Sequence, residues 1–298
     1  MIDHPSLTTT TRLSPDEVDA VVTLVAAASA EDGFSALNEA ALLHLRHPRP
    51  EVQHLLASRA GHRMGYAQLD QTPTTGTPSS VGLLVVHPGS RRSGVGTALL
   101  TELIARSSVP LQIWAMGNSP AAQALAARLG LRVARELLVM TRQLAQPVPE
   151  VPVPPGVDLR TFVVGQDEDA WLRLNARAFR GHPEQGQLTR ADLNERIAQE
   201  WFDAAGFFLA VRDQTLVGFH WTKQHGDALG EVYVLGVDPD VGGHGLGKAL
   251  LSRGLAHLRE RGNSTVELYV EAHHARAVGL YRSYGFKVAS RDVMYAQP

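Results

Sequence analysis

Cysteine is absent from this chain of 298 residues. Its absence excludes disulfide bonds, a thiolate metal site and any mechanism that passes through a cysteine acyl-enzyme. An excess of one charge is also missing, because 28 basic and 30 acidic residues give a net charge of -2. That balance provides no basic footprint for nucleic acid. No apolar run reaches the roughly 20 residues that are needed to span a bilayer.

The first five residues lack the basic and then apolar layout of a secretory signal. With 44% hydrophobic and 19% charged residues, the composition is that of an ordinary globular protein. The length suffices for two domains of about 150 residues each. We therefore expect a cytoplasmic protein with no membrane or nucleic-acid partner. We also expect a monomer.

A strand, a glycine-rich turn and a helix are predicted between Glu231 and about residue 261. Residues 231–237 are β-branched, aromatic and aliphatic, Asp238-Pro239 ends the strand, and four glycines precede the next apolar periodicity. Such a turn lets backbone N–H groups approach a ligand, and the helix start adds unpaired donors and a partial positive charge. The arrangement suits a pyrophosphate.

Three motifs compete for this turn. A Walker A loop requires Ser or Thr where the chain has Ala249, and a dinucleotide fingerprint requires glycine where it has Lys248. The remaining pattern, Gly/Gln/Arg-x-x-Gly-x-Gly after Val-Asp-Pro, resembles the acetyl-CoA loop of the GNAT N-acetyltransferases. A glycine-rich connection without a ligand is the alternative.

The same arrangement occurs earlier in the chain, offset by 151 residues. Arg91-Arg92-Ser93-Gly94-Val95-Gly96 follows a strand that ends at Pro88 and precedes a predicted helix. Five prolines fall within residues 147–155, a composition typical of a stiff extended linker. The chain is therefore predicted to be two tandem α/β domains with mixed sheets flanked by helices, at 1–145 and 157–298, joined by a linker at 146–156.

The apolar periodicity and the turn signals predict the other elements. The expected helices cover 14–29, 37–46, 97–106, 167–179, 189–201, 248–261 and 275–284, with a further helix ending at 129. The expected strands cover 61–69, 81–86, 111–114, 157–162, 207–211, 216–223, 231–237, 265–270 and 288–295.

The two copies differ at two ionisable positions. In the repeat register, Glu231 faces Ser80 and Tyr281 faces Ala126. Acyl transfer from a thioester to an amine needs a base, because the amine is an ammonium at neutral pH, and it benefits from an acid at the departing thiolate. A backbone N–H near residues 235–237 could hold the developing oxyanion. Glu231 is the candidate base and Tyr281 the candidate acid.

Each of these candidates has a plainer interpretation. Tyr281 lies on an apolar helix and could belong to the core, Glu231 could be a solvated strand end, and Lys223 a solvated edge charge. The adjacent His273 and His274 have no spaced acidic or cysteine partner, so no metal site is expected.

Four longer strings resemble the mycothiol synthase family of tandem GNAT proteins. They are Phe-His-Trp-Thr-Lys at 219–223, Gly-Glu-Val-Tyr-Val-Leu-Gly-Val-Asp-Pro at 230–239, Leu-Tyr-Val-Glu at 268–271 and Gly-His-Pro-Glu-Gln-Gly at 181–186. The resemblance covers both halves and implies transfer of acetyl from acetyl-CoA to the cysteine amine of cysteinyl-glucosaminyl-inositol, with a catalytic second half and a catalytically degenerate first half.

The resemblance also implies roles for individual residues. Glu231 and Tyr281 would be the base and the acid. The substrate-binding set would be Glu39, Glu184, Lys223, Glu231 and Tyr269. In the second half, acetyl-CoA would be bound by Leu235, Gly236, Val237, Gly242, Gly243, His244, Gly245, Leu246, Gly247, Lys248, His274, Ala275, Arg276, Ala277, Val278 and Gly279. In the first half it would be bound by Leu84, Val85, Val86, Arg91, Arg92, Gly94 and Gly96.

The chain departs from the family pattern at two places. Its loop begins Gly242-Gly243-His244 where the family has Gln-Arg-Arg, and His274 stands where the family tends to have Asn. Weaker CoA binding or a changed acyl preference is therefore expected. Two alternatives to the family's reaction remain open: a GNAT enzyme for another small amine or a peptide N-terminus, and an acetyl-CoA sensor without catalysis.

Overall fold

The computed structural model describes residues 5–73, 79–182, 185–226, 228–241 and 245–298. These residues form two compact units. The first holds the described residues up to Leu137 together with Arg291–Pro298, and the second holds Leu138–Ser290. Among the described residues, no helix has the length and apolar character needed to cross a membrane.

The first unit contains most of the elements in the first half of the chain. In order they are β1 (Ser6–Thr10), α1 (Pro15–Asp32), α2 (Glu39–Arg46), β2 (Val52–Arg59), β3 (His62–Asp70), β4 (Ser80–Val86), α3 (Val95–Arg106), β5 (Leu111–Ala115), α4 (Pro120–Arg128) and the start of β6 (Arg132–Gln143).

The second unit repeats this order of strands and helices. Its elements are the end of β6, then β7 (Asp158–Thr161), α5 (Glu168–Ala178), α6 (Arg190–Ile197), β8 (Phe207–Arg212), β9 (Thr215–His225), β10 (Leu229–Val237), α7 (Leu246–Glu260), β11 (Thr265–Glu271), α8 (Ala275–Ser283) and the start of β12 (Lys287–Ala296).

The sheet of the first unit is mixed and is completed by the end of the chain. Strands β1 to β4 pair antiparallel in sequence order, and β4 pairs parallel with β5. Val293–Ala296 of β12 then pair antiparallel with Ala115–Gln112 of β5. Val293 and Met294 are both almost fully buried in the hydrophobic core of this unit. The last strand of the chain is therefore part of the first unit's core.

The second unit has the strand order β7, β8, β9, β10, β11 and the end of β6. Leu138, Met140 and Leu144 pack against residues of β11 and α8, and the Leu144 N–H donates to the Ser264 carbonyl at 2.8 Å. Strand β6 thus begins in one unit and ends in the other, as β12 does in the opposite direction. The predicted domain limits of 1–145 and 157–298 describe the sequence repeat and stay a prediction.

The parallel strand pair at the centre of each unit separates after a short contact. In the second unit β10 pairs with β11 from Leu229 to Glu231, opposite residues 265–267, and in the first unit β4 pairs with β5 from Ser80 to Gly82. Beyond these residues, one edge of β10 and one edge of β4 have no strand partner among the described residues. Each unit therefore contains a gap between its parallel strands.

Two matching glycines show which residues of one repeat correspond to which residues of the other. A Cβ on Gly65 would lie 2.9 Å from Val95 and Leu99 of α3, and a Cβ on Gly218 would lie 2.9 Å from Leu250 of α7. Both glycines therefore allow the helix to lie close to the sheet. Gly65 pairs with Val86, and Gly218 pairs with Val237.

A β-bulge at Tyr233 corrects one sequence expectation. The pairing of β9 with β10 shifts between Val232 and Val234, so Tyr233 is an additional residue, whereas β3 and β4 pair without a shift. Counting from the matched glycines, the counterpart of Glu231 is therefore Val81 and not Ser80. The chemical contrast holds, because valine cannot accept a proton.

The predicted fold class is confirmed, and most predicted helices and strands are present within a few residues of their expected limits. Strands β1, β2 and β6 were not predicted. Each of them mixes apolar with polar or charged residues and is held by partners distant in sequence. The expected strand at 157–162 is shorter, at Asp158–Thr161, and the expected helix at 189–201 ends at Ile197.

Met294 tests the dependence of the first unit on the end of the chain. We expect Met294→Ala to destabilise the first unit by about 2–5 kcal/mol, the usual effect of truncating a buried large side chain. Hydrogen exchange should increase in peptides from α1 and β5, while peptides from β8 and β9 keep their protection. Val288→Ala, at an exposed position of the same strand, is the control. Equal exchange in both variants would contradict the assignment of this segment to the first unit's core.

His220 tests how the second unit responds to acid. Burial lowers the pKa of His220 to about 4, with a smaller contribution from His257, while its hydrogen bond to the Leu250 carbonyl acts in the opposite direction. Since the unfolded chain binds this proton near pH 6.5, stability is complete above that pH and is lost as the pH falls towards 4. The loss is about 1.4 kcal/mol per pH unit.

The measurement is urea unfolding followed by tryptophan fluorescence, because three of the four tryptophans lie in the second unit. His220→Gln should reduce the dependence of the unfolding midpoint on pH between 6.5 and 4.5. The same slope in both proteins would show that His220 does not stay neutral in the folded state.

Candidate functional site

The carboxylate of Glu231 lies at the last paired position of β10 before the strands separate. Its side chain is nearly buried, and its Oε2 is 2.6 Å from His225 Nε2. Lys223 is its cross-strand neighbour on β9, and Glu267 is its neighbour on β11. Neighbours that are directly opposite share a face of a sheet. One face of the second unit therefore carries a cluster of four ionisable side chains beside the gap.

Three of these side chains, which we call the Glu231 cluster, are in mutual proximity. They are His225, Glu231 and Glu267, whose nearest nitrogen and oxygen atoms all lie within 4.8 Å of one another. The His225 Nε2 is 3.9 Å from the Glu267 carboxylate. Two carboxylates and an imidazole at this spacing can exchange protons.

Lys223 is held by aromatic rings rather than exposed at an edge. Its side chain is nearly buried, with Nζ 4.5 Å from the ring centre of Trp201 and 5.2 Å from that of Tyr233. A cation over a ring is stabilised by about 2 kcal/mol when it is largely desolvated. The interpretation of Lys223 as a solvated edge charge is therefore wrong, and its ammonium lies at a fixed place on the face that carries Glu231.

Aromatic side chains pack next to Lys223 in the second unit. Trp221 stacks on Phe207 with ring centres 4.4 Å apart, and it meets Tyr233 edge to face at 5.0 Å. The Tyr233 hydroxyl accepts a hydrogen bond from Arg196 Nε at 2.8 Å. Because Tyr233 is the bulge residue, these contacts fix the bulge and with it the course of β10 beyond Glu231.

The strand end that leads to the glycine loop is anchored by an ion pair. Asp238 is buried, its N–H donates to the Val217 carbonyl at 2.9 Å, and its carboxylate accepts from both Arg177 and the Asp240 N–H. The pair with Asp238 raises the pKa of Arg177. The predicted loop residues Gly242, Gly243 and His244 lie outside the described residues, so the structure is described again from Gly245.

Helix α7 begins without a side-chain cap. Its N-cap is Gly245 at φ 85°, and no side chain in the described part of the chain accepts from the first N–H groups, whereas Thr189 caps α6 and Ser14 caps α1. Helix α3 begins in the same way at Gly94, with φ 87°. Uncapped N–H groups at a helix start favour an anion. Leu246 of the predicted set is buried in the core, and Gly247 and Lys248 complete the first turn.

The predicted residues of β10 lie along the gap. The stretch Leu235–Val237 pairs with β9 on one side, and its other edge faces the gap where β11 has separated. Their backbone groups on that edge can therefore bind a ligand that lies between the strands.

The predicted residues 274–279 form the start of helix α8. His274 is its N-cap and makes no side-chain capping bond, and Ala275 to Arg276 are exposed. Val278 is buried in the core of the unit, so its side chain packs and only its backbone could meet a ligand. Ala277 is half-buried and Gly279 is exposed.

Tyr281 is a core residue with a hydroxyl that has no partner among the described residues. It packs edge to face on Phe286 with ring centres 5.8 Å apart. Burial alone raises the pKa of Tyr281 to about 12. Its counterpart is confirmed as Ala126, because the Phe286 N–H donates to the Tyr281 carbonyl as the Leu131 N–H does to the Ala126 carbonyl. The ring of Tyr281 is therefore part of the core, and its hydroxyl is still available as the predicted acid.

The other predicted substrate residues are dispersed. Tyr269 lies on β11 two residues after Glu267, hence on the same face, and its side chain is 45% exposed. Glu184 lies outside the described residues. Glu39 is the first residue of α2 in the first unit, where Asn38 caps the helix. The structure thus gathers Lys223, Glu231 and Tyr269 on one face of the second unit.

In the first unit, the predicted binding residues have a different environment. Leu84, Val85 and Val86 follow the separation of β4 from β5, and Gly94 and Gly96 lie at the start of α3. Both terminal nitrogens of Arg91 donate to Asp32, at 2.8 and 2.7 Å, which raises the pKa of Arg91. The Arg91 guanidinium is therefore already paired, and Arg92 has a left-handed backbone at φ 62°.

Among the described residues of the first unit, no group corresponds to the Glu231 cluster. Val81 and Asp70 occupy the places of Glu231 and Lys223, and the Asp70 carboxylate accepts from the Thr72 N–H. The adjoining face is filled by a buried hydrogen-bonded network, in which the Tyr66 hydroxyl lies 2.7 Å from His54 Nδ1 and 3.0 Å from Gln68 Nε2.

Two residues of the site, His225 and Glu267, were missed by the sequence analysis. His225 is separated from Glu231 by the end of a hairpin, and Glu267 belongs to the next parallel strand. Glu267 could have been found from the alignment of Glu231 with the start of the following strand. No sequence signal marks His225, because its proximity depends on the register of the hairpin.

Comparison with known proteins identifies the class. The sequence profile of the acetyltransferase (GNAT) family matches residues 23–131 and 169–286. The chain is 49% identical to the mycothiol acetyltransferase of Thermomonospora curvata over 298 residues, which cover 100% of this chain and 99% of that protein. It is also 49% identical to the mycothiol acetyltransferase of Streptomyces coelicolor, covering 97% and 94% of the two chains.

Solved structures share the fold. A GCN5-related N-acetyltransferase from Sphaerobacter thermophilus aligns with a TM-score of 0.70 and 28% identity over 98% of this chain and 95% of its own. A tandem GNAT protein from the clavulanic acid biosynthesis pathway aligns with a TM-score of 0.75 and 23% identity over 98% of both chains.

The protein therefore belongs to the GNAT acetyltransferases, with two copies of the domain in one chain. The family uses acetyl-CoA as the acyl donor. Within that class, its full-length relatives at nearly half identity place it in the family of the mycothiol acetyltransferases.

Gly245 tests the start of α7 as the place that holds the acetyl-CoA phosphates. At φ 85° any other residue strains the backbone, by about 1 kcal/mol for alanine. We expect Gly245→Ala to raise the KM for acetyl-CoA about tenfold, because the strain displaces N–H groups that a pyrophosphate would use.

The matched control is Gly262→Ala. Gly262 has φ 86° and, like Gly245, open space around the added Cβ, but it lies after the other end of α7. It should lose the same stability and keep the KM. An unchanged KM in Gly245→Ala would remove the helix start from the binding site.

Proposed function

We propose that the protein transfers the acetyl group of acetyl-CoA to the cysteine amine of cysteinyl-glucosaminyl-inositol, giving mycothiol and CoA. The observation that carries the proposal is the nearly buried Glu231 carboxylate at the point where β10 leaves β11. This location puts a base beside the gap between β10 and β11, where a thioester could lie between the two strands. The names of the full-length relatives support the choice of amine.

The first step is removal of a proton from the substrate ammonium. Glu231 accepts it directly or through one water, and the free amine then attacks the thioester carbonyl. A correctly placed general base contributes about 10²–10⁴ in rate. Three ionisable side chains, those of Lys223, His225 and Glu267, are neighbours of the carboxylate.

The second step is stabilisation of the tetrahedral oxyanion. Backbone N–H groups on the free edge of Leu235–Val237 can donate to it, because the separated strand β11 leaves them without a ladder partner. One such donor is typically worth about 10²–10³ in rate. The bulge at Tyr233 sets the direction of these groups, and the aromatic core beneath it keeps them from moving during the reaction.

The third step is departure of the CoA thiolate, with Tyr281 as the acid. Its pKa, raised to about 12, keeps the hydroxyl protonated throughout the neutral range, so the proton is available when the C–S bond breaks. The hydroxyl has no partner among the described residues and can therefore donate to the sulfur. The core packing of the ring fixes its direction.

The substrate is bound by groups of both charges. We assign Lys223, Tyr269 and Glu184 to the sugar-inositol part, Glu231 to the amine and Glu39 as a further contact. The Lys223 ammonium, fixed by two aromatic rings, suits hydroxyl oxygens of a polyol, and the exposed Tyr269 can pack against a sugar ring. Such a mixed set suits a polar substrate that carries an ammonium.

We assign one acetyl-CoA site to each of the two units. In the second unit we assign the donor to Leu235–Val237, Gly242–Lys248 and His274–Gly279. In the first unit we assign Leu84–Val86, Arg91, Arg92, Gly94 and Gly96, as a site that binds acetyl-CoA without catalysis. The proposal includes a cytoplasmic location, since acetyl-CoA is an intracellular metabolite. It also includes a monomeric protein.

The test is CoA release on mixing the purified protein with acetyl-CoA and cysteinyl-glucosaminyl-inositol. Glu231→Gln should lower kcat by about 10²–10⁴ and Tyr281→Phe by about 10². Tyr295→Phe is the matched control. It removes the hydroxyl of another buried tyrosine, which donates a hydrogen bond to Asn118 and has no role in the proposed reaction. Its kcat should equal that of the parent.

Absence of CoA release in the parent protein would refute the choice of substrate. Release that persists in Glu231→Gln at the parent rate would refute the assignment of the base.

A further inference from the structure

The side chain of His225 is hydrogen-bonded to the proposed base. It lies at the end of β9, opposite Leu229, and its Nε2 is 2.6 Å from Glu231 Oε2. Its second acidic neighbour is Glu267, at 3.9 Å. The short distance means that any proton on Glu231 is shared with, or can pass to, the imidazole.

The side chain of His225 is more exposed to water than that of Glu231. The Glu231 side chain is 9% exposed and that of His225 is 35% exposed. A carboxylate that accepts a proton in each turnover must lose it again before the next one. With bound substrate covering the remaining face of Glu231, His225 provides the route from the carboxylate to water.

The charges around His225 fit this route. Glu231 and Glu267 face it from β10 and β11, and the ammonium of Lys223 lies on its own strand two residues away. Two carboxylates and one ammonium are therefore the charged groups that adjoin the imidazole.

We propose that His225 positions the Glu231 carboxylate and passes the proton that Glu231 receives from the substrate to water. In the transfer step, the ammonium N–H bond breaks and an O–H bond forms on Glu231. In the Nδ1–H tautomer of His225, Nε2 takes the carboxyl proton, the imidazolium releases its Nδ1 proton to water, and exchange with water restores the starting tautomer. The amine lone pair forms the new C–N bond, and CoA leaves with the electrons of the C–S bond and the proton of the Tyr281 hydroxyl. The second proton of the attacking nitrogen returns to the Tyr281 oxygen, so that each turnover gives the amide, CoA and one released proton. The inference rests on the proposed function.

Two substitutions separate carrying a proton from holding a carboxylate. The amide of His225→Gln can still donate to Glu231 but cannot carry a proton, whereas His225→Ala removes both contacts and opens space. His62→Gln, at an exposed position of β3 in the first unit, is the matched control. All four proteins are assayed as full chains with acetyl-CoA and cysteinyl-glucosaminyl-inositol across pH 6 to 9.

We expect His225→Gln to lower kcat about 10- to 100-fold, within the range for one proton transfer, with KM for both substrates within about threefold. The pH dependence of kcat should change in the same variant. Added imidazole should restore part of the kcat of His225→Ala and have no effect on the parent or on His62→Gln. A purely structural contact would give neither the pH change nor the rescue.

A His225→Gln protein with the parent's kcat and pH profile overturns the proposal. Loss of activity in both variants without rescue by imidazole, and with an unchanged pH profile, also overturns it. If chelation abolishes the parent's activity and Zn²⁺ restores it, the cluster binds a metal and the relay is refuted. Failure of the parent itself to release CoA refutes the proposed function instead, so the two failures are distinguishable.

Discussion

The separation of β10 from β11 is the constraint on which the site depends. The parallel ladder ends at Glu231 and Glu267, and the bulge at Tyr233 follows at once. If the ladder continued, the N–H groups of residues 232–237 on that edge would be used by β11. Because the strands part, those groups remain beside a buried carboxylate, and a thioester could enter between them.

The bulge is in turn stabilised by the aromatic core. Tyr233 packs against Trp201 and Trp221, and its hydroxyl is bonded to Arg196. Edge-to-face contacts of this kind contribute about 0.5–1.5 kcal/mol each beyond the area they bury. The same rings hold the ammonium of Lys223. One cluster of apolar packing therefore sets both the backbone direction along the gap and the location of the Lys223 ammonium.

A buried carboxylate is unfavourable unless it is hydrogen-bonded or paired. Glu231 has His225 at hydrogen-bond distance and Lys223 directly opposite, while Glu267 adds a second negative charge next to it. The arrangement balances the charge without committing Glu231 to a permanent salt bridge. Asp32 differs in this respect, because both of its carboxylate oxygens accept hydrogen bonds from the Arg91 guanidinium.

The sequence predicted what local pattern controls. The strand, glycine turn and helix at both loops follow from residues adjacent in the chain, and Glu231 and Tyr281 were found because the repeat lacks them in its other copy. What was missed depends on pairing between distant residues. His225 reaches Glu231 only through the register of a hairpin, and the bulge that moves the counterpart of Glu231 from Ser80 to Val81 leaves no signature in composition.

The two closing strands divide the chain differently from the sequence repeat. Strand β6 starts in the first unit and supplies Leu138 and Met140 to the core of the second, whereas Val293 and Met294 belong to the core of the first. The segments that fold as units are therefore not the two sequence repeats themselves. A cut of the chain between the repeats would remove buried strand residues from both cores, and each such loss costs several kcal/mol when the residue is large. This is a physical reason for the two repeats to remain in one chain.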